Sequence, residues 1–566
     1  MDSQALAYVV AGLGTVLAAG TLAKVGRRLQ LSRAKHASLA GHPRWAKKIA
    51  GQIPFYEFDA ASFFSSDGAP GDVAARRRSG FEALARQYKD RFARTIALNA
   101  GIRGALSDMQ FTEAYRVPYQ YSRRVREHLG GSPLLQSSSG VELTDVDGNR
   151  FYDLAGSYGV NLFGYDFYKR CIERGAARVA ELGPVLGAYH PVIAYNARRL
   201  CEISGLDEVS FHMSGTEAVM QAVRLARYHT GRRKVVRFCG AYHGWWGDVQ
   251  PGIGNPAPAS DSFTLADMSE ASLKVLRTRR DIACVLVNPL QALHPNASAP
   301  ADSALLDGAR RAGFEGAAYA EWLSALREVC TQRRIVLIFD EVFVGFRLAP
   351  GGAQQYFGVK ADMATYGKTL GGGLPVGAVC GRSDLMRRFR EDRPADVCFA
   401  RGTFNSHPYV MGAMCEFLEQ LDTPQVKALY ANLEQTWKGR VGALNQRLAD
   451  NNLPVRVANL SSIWTVYYTQ PSRYHWMLQY YLRSQGLALS WVGTGRLIFS
   501  LNYSDSDFAA VADRFVAAAE AMRADGWWWQ GEHGAGPRAD IKRQILREML
   551  QHRFAGLVGA RTVQGR

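Results

Sequence analysis

Five short apolar runs, Val209–Met213, Lys234–Phe238, Ile282–Val287, Ile335–Phe339 and Val376–Cys380, read as strands, and several are separated by longer stretches of helical periodicity such as Glu217–Tyr228 and Tyr319–Cys330. No other feature of the 566-residue chain narrows its fold as much. Strands alternating with helical segments predict an α/β architecture around a mainly parallel sheet. In such sheets ligands bind beyond the strand ends. The polar residues that directly follow the runs are therefore the first candidates for chemistry.

Four of them form a constellation. Ser214-Gly215-Thr216 is a small hydroxyl-bearing turn between a strand and the start of a helix, where free N–H groups and the helix dipole favour a phosphate. Asp340 ends the run Ile335–Phe339, so its carboxylate is placed for burial and needs a cationic partner. Lys368 stands just before Gly371-Gly372-Gly373, a segment that permits close approach of a ligand. Tyr242-His243-Gly244 follows the strand Lys234–Phe238 and offers a ring that can stack on a planar group. An anion cradle, a carboxylate for a pyridinium nitrogen, a lysine for a Schiff base and a stacking ring together suit pyridoxal phosphate.

From about Ser132 to Gly526 the chain resembles the class III aminotransferases, pyridoxal-phosphate enzymes of the aspartate-aminotransferase fold type I. The motifs that carry the resemblance include Asp145-Val146-Asp147-Gly148, Ser214-Gly215-Thr216-Glu217-Ala218, Tyr242-His243-Gly244 and Phe339-Asp340-Glu341-Val342. Further blocks are Gly345-Phe346-Arg347, Gly367-Lys368, Gly371-Gly372-Gly373-Leu374-Pro375-Val376-Gly377 and Gly402-Thr403-Phe404, with Lys368 lying 28 residues after Asp340. Within the class, Phe346-Arg347 and the glycine block are similar to glutamate-1-semialdehyde aminomutases. Gly159–Gly164 and Gly402–Pro408 look more like the aminotransferase modules of polyketide and nonribosomal-peptide assembly lines.

The resemblance implies a large mainly parallel sheet domain, about 170–400, and a small α+β domain built from the flanking parts of 132–526. It implies that Lys368 holds the cofactor covalently and moves the proton, and that Asp340 pairs with the pyridine nitrogen. Ser214, Gly215 and Thr216 would hold the phosphate, with Thr403 lent by a second subunit, hence a homodimer with shared sites. Tyr242 and Val342 would sandwich the ring beside His243, and Ser157 and Tyr158 would border the substrate. Two departures make this pocket less polar than in relatives acting on small amino acids: Asn288 stands where the family usually has Glu before Pro289, and Phe343 where it often has Gln or Met.

Charge separates the two ends from the body. The net charge is +17, but residues 1–48 hold +7 and residues 538–566 hold +5, so the long body between them carries only +5. Ala5–Ala23 is a run of 19 uncharged residues directly before the cluster that begins at Lys24. At ~1.5 Å per residue such a helix would just span a hydrocarbon core of about 30 Å. This predicts a transmembrane anchor (1–25), with a buried N-terminal core helix as the alternative because Gly12, Gly14, Thr15, Gly20 and Thr21 dilute the run. A basic helical region (26–131) follows, with Ser65–Gly71 as a linker and Phe81–Ala93 as an amphipathic helix. The positive-inside rule places the catalytic part on the cytoplasmic side of the inner membrane. The tail, 527–566, joins Trp527-Trp528-Trp529 to a basic amphipathic pattern, which suits either a lipid surface or a helix packed on the body. The eight cysteines are dispersed without metal spacing, so reduced core thiols and no metal site are expected.

The sequence is thus identified as a membrane-anchored aminotransferase that moves an amino group from a donor such as glutamate to a hydrophobic or lipid-like aldehyde, ketone or acyl-chain carbonyl, free or carrier-bound. An aminomutase is the alternative within enzymes, and a non-catalytic scaffold the alternative outside them. Intact Lys368 and Asp340 argue against the scaffold. Nucleic acid is not an expected partner, because no recognition motif accompanies the basic segments.

Overall fold

The computed structural model describes residues 3–258, 260–293, 314–490, 495–531 and 538–563. Its central sheet has seven strands: β1 (Glu208–His212), β2 (Lys234–Phe238), β3 (Ser262–Leu265), β4 (Ile282–Val287), β5 (Val336–Asp340), β6 (Met363–Gly367) and β7 (Gly377–Gly381). Their spatial order is β1-β7-β6-β5-β4-β2-β3. Neighbours from β3 to β6 are parallel, and β7 runs antiparallel to β1 and β6. Four helices recur below: α1 (Ser3–Arg33), α2 (Pro43–Ala50), α3 (Gly215–Thr230) and α4 (Arg538–Val563).

The expected runs fold as strands within a residue of their predicted ends. They read as continuous apolar stretches because both faces of the sheet are covered. Leu286 and Ile338 pack with Ala222 and Val223 of α3 on one face, while Val285, Leu337 and Phe339 pack with Leu323 and Leu326 of the helix Gly316–Arg333 on the other. The edge strand β3 was not anticipated, since its sequence Ser-Phe-Thr-Leu is too short to show a period.

The flanking segments form separate small sheets, one of Leu135–Ser139, Glu142–Asp145, Arg150–Asp153 and Leu487–Ala488, another of Val455–Leu460, Ile463–Tyr468 and Arg496–Ile498. Trp437, Trp464, Phe499 and Phe508 pack ring against ring in the core between these elements.

Three expectations for the ends need correction. Ser65–Gly71 is not a loose linker: Asp67 takes a bidentate bond from the fully buried Arg77 (2.8 and 2.7 Å), and Ser66 bonds to Tyr474. The helix expected at Phe81–Ala93 begins earlier, spans Gly71–Arg91, and packs on the C-terminal part through Tyr88, whose hydroxyl donates to the Tyr480 carbonyl.

Of the two readings of the tail, the structure bears out the helix packed on the body. Trp527 and Trp528 are buried, and their indole N–H groups donate to Tyr481 and His475. The tail helix α4 lies on the body, where Glu548 pairs with Arg473 at 2.6 Å and His552 stacks on Tyr56. Residues 532–537 and 564–566 of the tail lie outside the described residues.

The apolar run does form a helix, α1, yet among the described residues no helix is long and apolar enough to cross a membrane. Of the apolar run Ala5–Ala23, side chains 5–15 and 17 lie outside the described residues. The far end of α1 docks on the body: Leu31 meets its core, the Ala34 carbonyl just beyond accepts from Ala266 N at the end of β3, and Gln30 reaches Lys274 and Thr278.

Candidate active site

The carboxyl ends of β4, β5 and β6 meet the N-terminus of α3. β5 ends in Asp340, which is 3% exposed and pairs in register with Thr365 of β6. One carboxylate oxygen accepts from Val342 N (3.1 Å) and Thr365 Oγ1 (3.3 Å), and the other accepts from His243 Nδ1 at 2.7 Å. An ionised carboxylate only accepts, so Nδ1 carries the proton and the second ring nitrogen is free of one. Burial drives the His243 pKa down against the pull of Asp340, which keeps the ring neutral. His243 Nε2 is buried and has no hydrogen-bond partner among the described residues.

β6 delivers Lys368, in a left-handed backbone conformation (φ 50°) at the strand's end. Burial pushes its amine pKa down, the nearby Arg347 acts in the same direction, and Asp340 opposes them. The neutral amine is the nucleophilic form.

Ser214 caps α3 by accepting from Glu217 N, and Glu217 in return accepts from Met213 N (2.9 Å), so the turn is fixed from both sides. A side chain at Gly215 would meet Val342 Cγ1 at 2.6 Å. One at Gly244, whose φ is +93°, would meet Thr216 Oγ1 at 2.6 Å. The Ser214-Gly215-Thr216 turn thus lies against Val342 on one side and Gly244 on the other. Asn288, at the end of β4, is buried and holds the Tyr242 carbonyl at 3.4 Å.

Above Lys368 stands a turn in which Gly156, Ser157, Tyr158 and Gly159 all have positive φ (53°, 45°, 57° and 97°). Two non-glycine residues there store backbone strain of the kind that clusters at functional sites. Ser157 bonds to Tyr165, which donates to Asp153. Gly159 has no alternative, since a Cβ would strike the Phe343 ring at 2.5 Å and come within 3.4 Å of Lys368 Cδ. The Lys368 ammonium lies 5.6 Å from the Phe343 ring centre.

Two participants went unassigned in the sequence. Arg347 is buried without a carboxylate partner; it donates to Ser462 Oγ (2.9 Å), to the Phe499 carbonyl (2.6 Å), and to the Gly159 and Asn161 carbonyls (3.3 Å each). Burial lowers its pKa to about 10. Glu341 accepts from Ala353 N and Gln354 N at the start of the helix Gly352–Phe357, and burial pushes its carboxyl up to about 7. Both stood inside motifs already singled out, but only the folded chain reveals what they hold. Thr403 is exposed in its own chain, between Phe399 and Phe404, which are exposed too. All eight cysteines are free, and no metal-binding cluster occurs among the described residues.

The residues fit pyridoxal phosphate: an anion cradle at a helix N-terminus, a buried carboxylate held by a histidine, and a lysine whose amine pKa burial lowers. Comparison with known proteins agrees. The family model for class III aminotransferases matches residues 130–519. Glutamate-1-semialdehyde 2,1-aminomutase of Geotalea daltonii is 31% identical over 431 residues, covering 70% of this chain and 93% of that protein. The enzyme of that name from Methanocaldococcus jannaschii is 33% identical over 343 residues, 58% of this chain and 74% of its own. Among solved structures, a transaminase with bound pyridoxal phosphate superposes with a TM-score of 0.60 at 28% identity, covering 77% of this chain and 99% of that one. A glutamate-1-semialdehyde aminomutase from Pseudomonas aeruginosa PAO1 shares the fold with a TM-score of 0.63 at 18% identity. The chain belongs to the class III aminotransferase family and is a pyridoxal-phosphate-dependent enzyme.

Proposed function

We propose that the protein is an aminotransferase that passes the amino group of a donor such as glutamate to a hydrophobic carbonyl, an aldehyde, ketone or acyl-chain carbonyl. The observation that carries this reading is the Phe343 ring, packed on Gly159 and 5.6 Å from the Lys368 ammonium. The pocket wall next to the reacting lysine is therefore an aromatic face, and the nearby position 288 is an amide without charge. An apolar acceptor gains from that wall, and Arg347, which lies 5.9 Å from the same ring, already donates to four acceptors of the chain itself.

The cofactor, when bound, supplies an electron sink for the carbon that loses its proton. Lys368 takes that proton and returns it, and burial, by lowering its amine pKa, eases the loss of its own proton. Asp340 holds the opposite charge at the ring nitrogen, and His243 fixes the carboxylate's orientation from behind. Ser214, Gly215 and Thr216 bind the phosphate and so set the distance to Lys368. The exposed apolar side chains Val397, Phe399 and Phe404 around Thr403 suit a second copy of the chain, which would complete each cradle. The setting we propose is the cytoplasmic face of a membrane, for which the basic ends and the exposed apolar residues of α1, Leu22, Val25 and Leu29, give support.

Aminomutase relatives favour a second reading, in which the group moves within one molecule. Single half-reactions separate the two: a panel of amines and of carbonyls of increasing chain length, followed by the cofactor's absorbance, with and without a separate donor. The aminotransferase reading predicts turnover only with a donor and a preference for long apolar acceptors. Phe343→Ala should reduce that preference about tenfold, the effect of losing one apolar contact of about 1.4 kcal/mol. Donor-independent turnover of a small amino aldehyde would establish the aminomutase instead.

A further inference from the structure

The strongest feature that the catalytic reading leaves unused is a strip of exposed apolar side chains drawn from both ends of the chain. α2 buries Ala46, which leaves Trp45 (63% exposed) and Ile49 one turn apart on its outer side. The chain continues through exposed Ile53 and Phe55, the latter 74% exposed. α4 runs beside this segment: the Arg553 guanidinium donates to the Gln52 carbonyl at 3.0 Å and to its side-chain oxygen, and His552 stacks on Tyr56. In α4, Ile545, Glu548 and His552 share the side that faces the body. With 3.6 residues per turn, Leu546, Leu550 and Phe554 fall on the opposite side, and all three are exposed.

Cations frame the strip. Arg44 and Lys48 are exposed on α2, the Lys48 ammonium lying 5.6 Å over the Trp45 ring, and exposed Arg547 and Arg553 belong to α4. The acid nearest to them in α4, Glu548, is already bound by Arg473 and Tyr56. Charge decides between the two surfaces that could cover such a strip. A second copy docking by a twofold axis would bring these cations against their own images. An anionic bilayer neutralises them, accepts the apolar side chains at the acyl boundary, and favours tryptophan at headgroup depth.

We propose that this strip docks the protein on an anionic lipid surface, lying in the headgroup plane without crossing it. The proposal extends the reading of a lipid-like acceptor, but its test uses no turnover, so either can fail while the other stands.

The test takes the full chain with bound cofactor and measures co-sedimentation with vesicles of phosphatidylcholine, alone or with phosphatidylglycerol. Binding is expected with the anionic vesicles and should fall as salt rises. The double variant Phe55→Ser/Phe554→Ser should lose at least about tenfold in affinity, since each side chain gives up its burial in the acyl region. Lipids with brominated chains should quench part of the tryptophan emission, and Trp45→Phe should remove that part. The cofactor absorbance of every variant should match the wild type, because none of these residues touches the site. The proposal is overturned if the wild type ignores anionic vesicles, if the double variant binds as well as the wild type, so that the contact lies elsewhere, or if the variants abolish self-association while vesicle binding is unchanged.

Discussion

The site and the chain ends use the same residue types in opposite ways. In the site the carboxylate of Asp340 and the guanidinium of Arg347 are buried and answered, Asp340 by His243 and two further donors, Arg347 by four acceptors from three segments. At the ends, Arg44, Lys48, Arg547 and Arg553 stand in water next to exposed Trp45, Phe55 and Phe554. The contrast is sharpest between two tryptophans. Trp527 is fully buried with its indole bonded to Tyr481, whereas Trp45 is 63% exposed. Sequence context alone leaves Trp527 open to either side, because three tryptophans before a basic segment suit a lipid surface and a packed helix alike. A residue's neighbours in space, and not its neighbours in sequence, determine which side of that division it falls on.

The largest break in this comparison should come from Trp527→Ala, expected to cost about 3–5 kcal/mol in a denaturant titration because it empties a core position shared with Phe64 and Tyr474. Arg347→Ala should follow at about 2–4 kcal/mol, since it strands the Gly159, Asn161 and Phe499 carbonyls. It should also release the strained turn above Lys368, so that kcat falls more than KM rises.

The acid limb of stability gives a further test. Burial lowers His475 to about 3 and His212 to about 4 from 6.5. The unfolded chain therefore takes up protons that the folded chain refuses, and the stability that these neutral rings contribute is present above pH 6.5 and lost as pH falls towards 3. Thermal melts across that window should show the decline, and His475→Phe should flatten part of it. At the small end, Trp45→Ala should change stability by no more than about 0.5 kcal/mol, in keeping with its exposure.

Much of the catalytic body was legible before folding. Strands covered on both faces announce themselves as unbroken apolar runs, and the residues after them, Ser214 and Asp340, converge as expected because the ends of parallel strands share one edge, whereas the strand Met363–Gly367 that leads to Lys368 is not among those runs. What stayed hidden depends on contacts distant in sequence. Nothing in Gly156–Gly159 reveals that four residues turn left-handed, since that geometry is imposed by Phe343 beneath and Arg347 beside them. The role of Arg347 is equally non-local, its acceptors lying at 159, 161, 462 and 499. The ends misled for a related reason. Apolar and basic residues in a row suit a bilayer and a packed helix alike, and only the Arg473–Glu548 pair and the burial of Trp527 tell which segments belong to the body.

The central claim is that one lysine, its amine pKa lowered by burial beside Asp340 and Phe343, makes this chain a pyridoxal-phosphate enzyme. Titrating the purified protein and Lys368→Ala with pyridoxal phosphate, while recording visible absorbance and transfer of an amino group from glutamate, tests it most directly. The account predicts a saturable cofactor band in the wild type that Lys368→Ala lacks, with transfer reduced by about 10³-fold or more. An identical band and undiminished transfer in Lys368→Ala would contradict it.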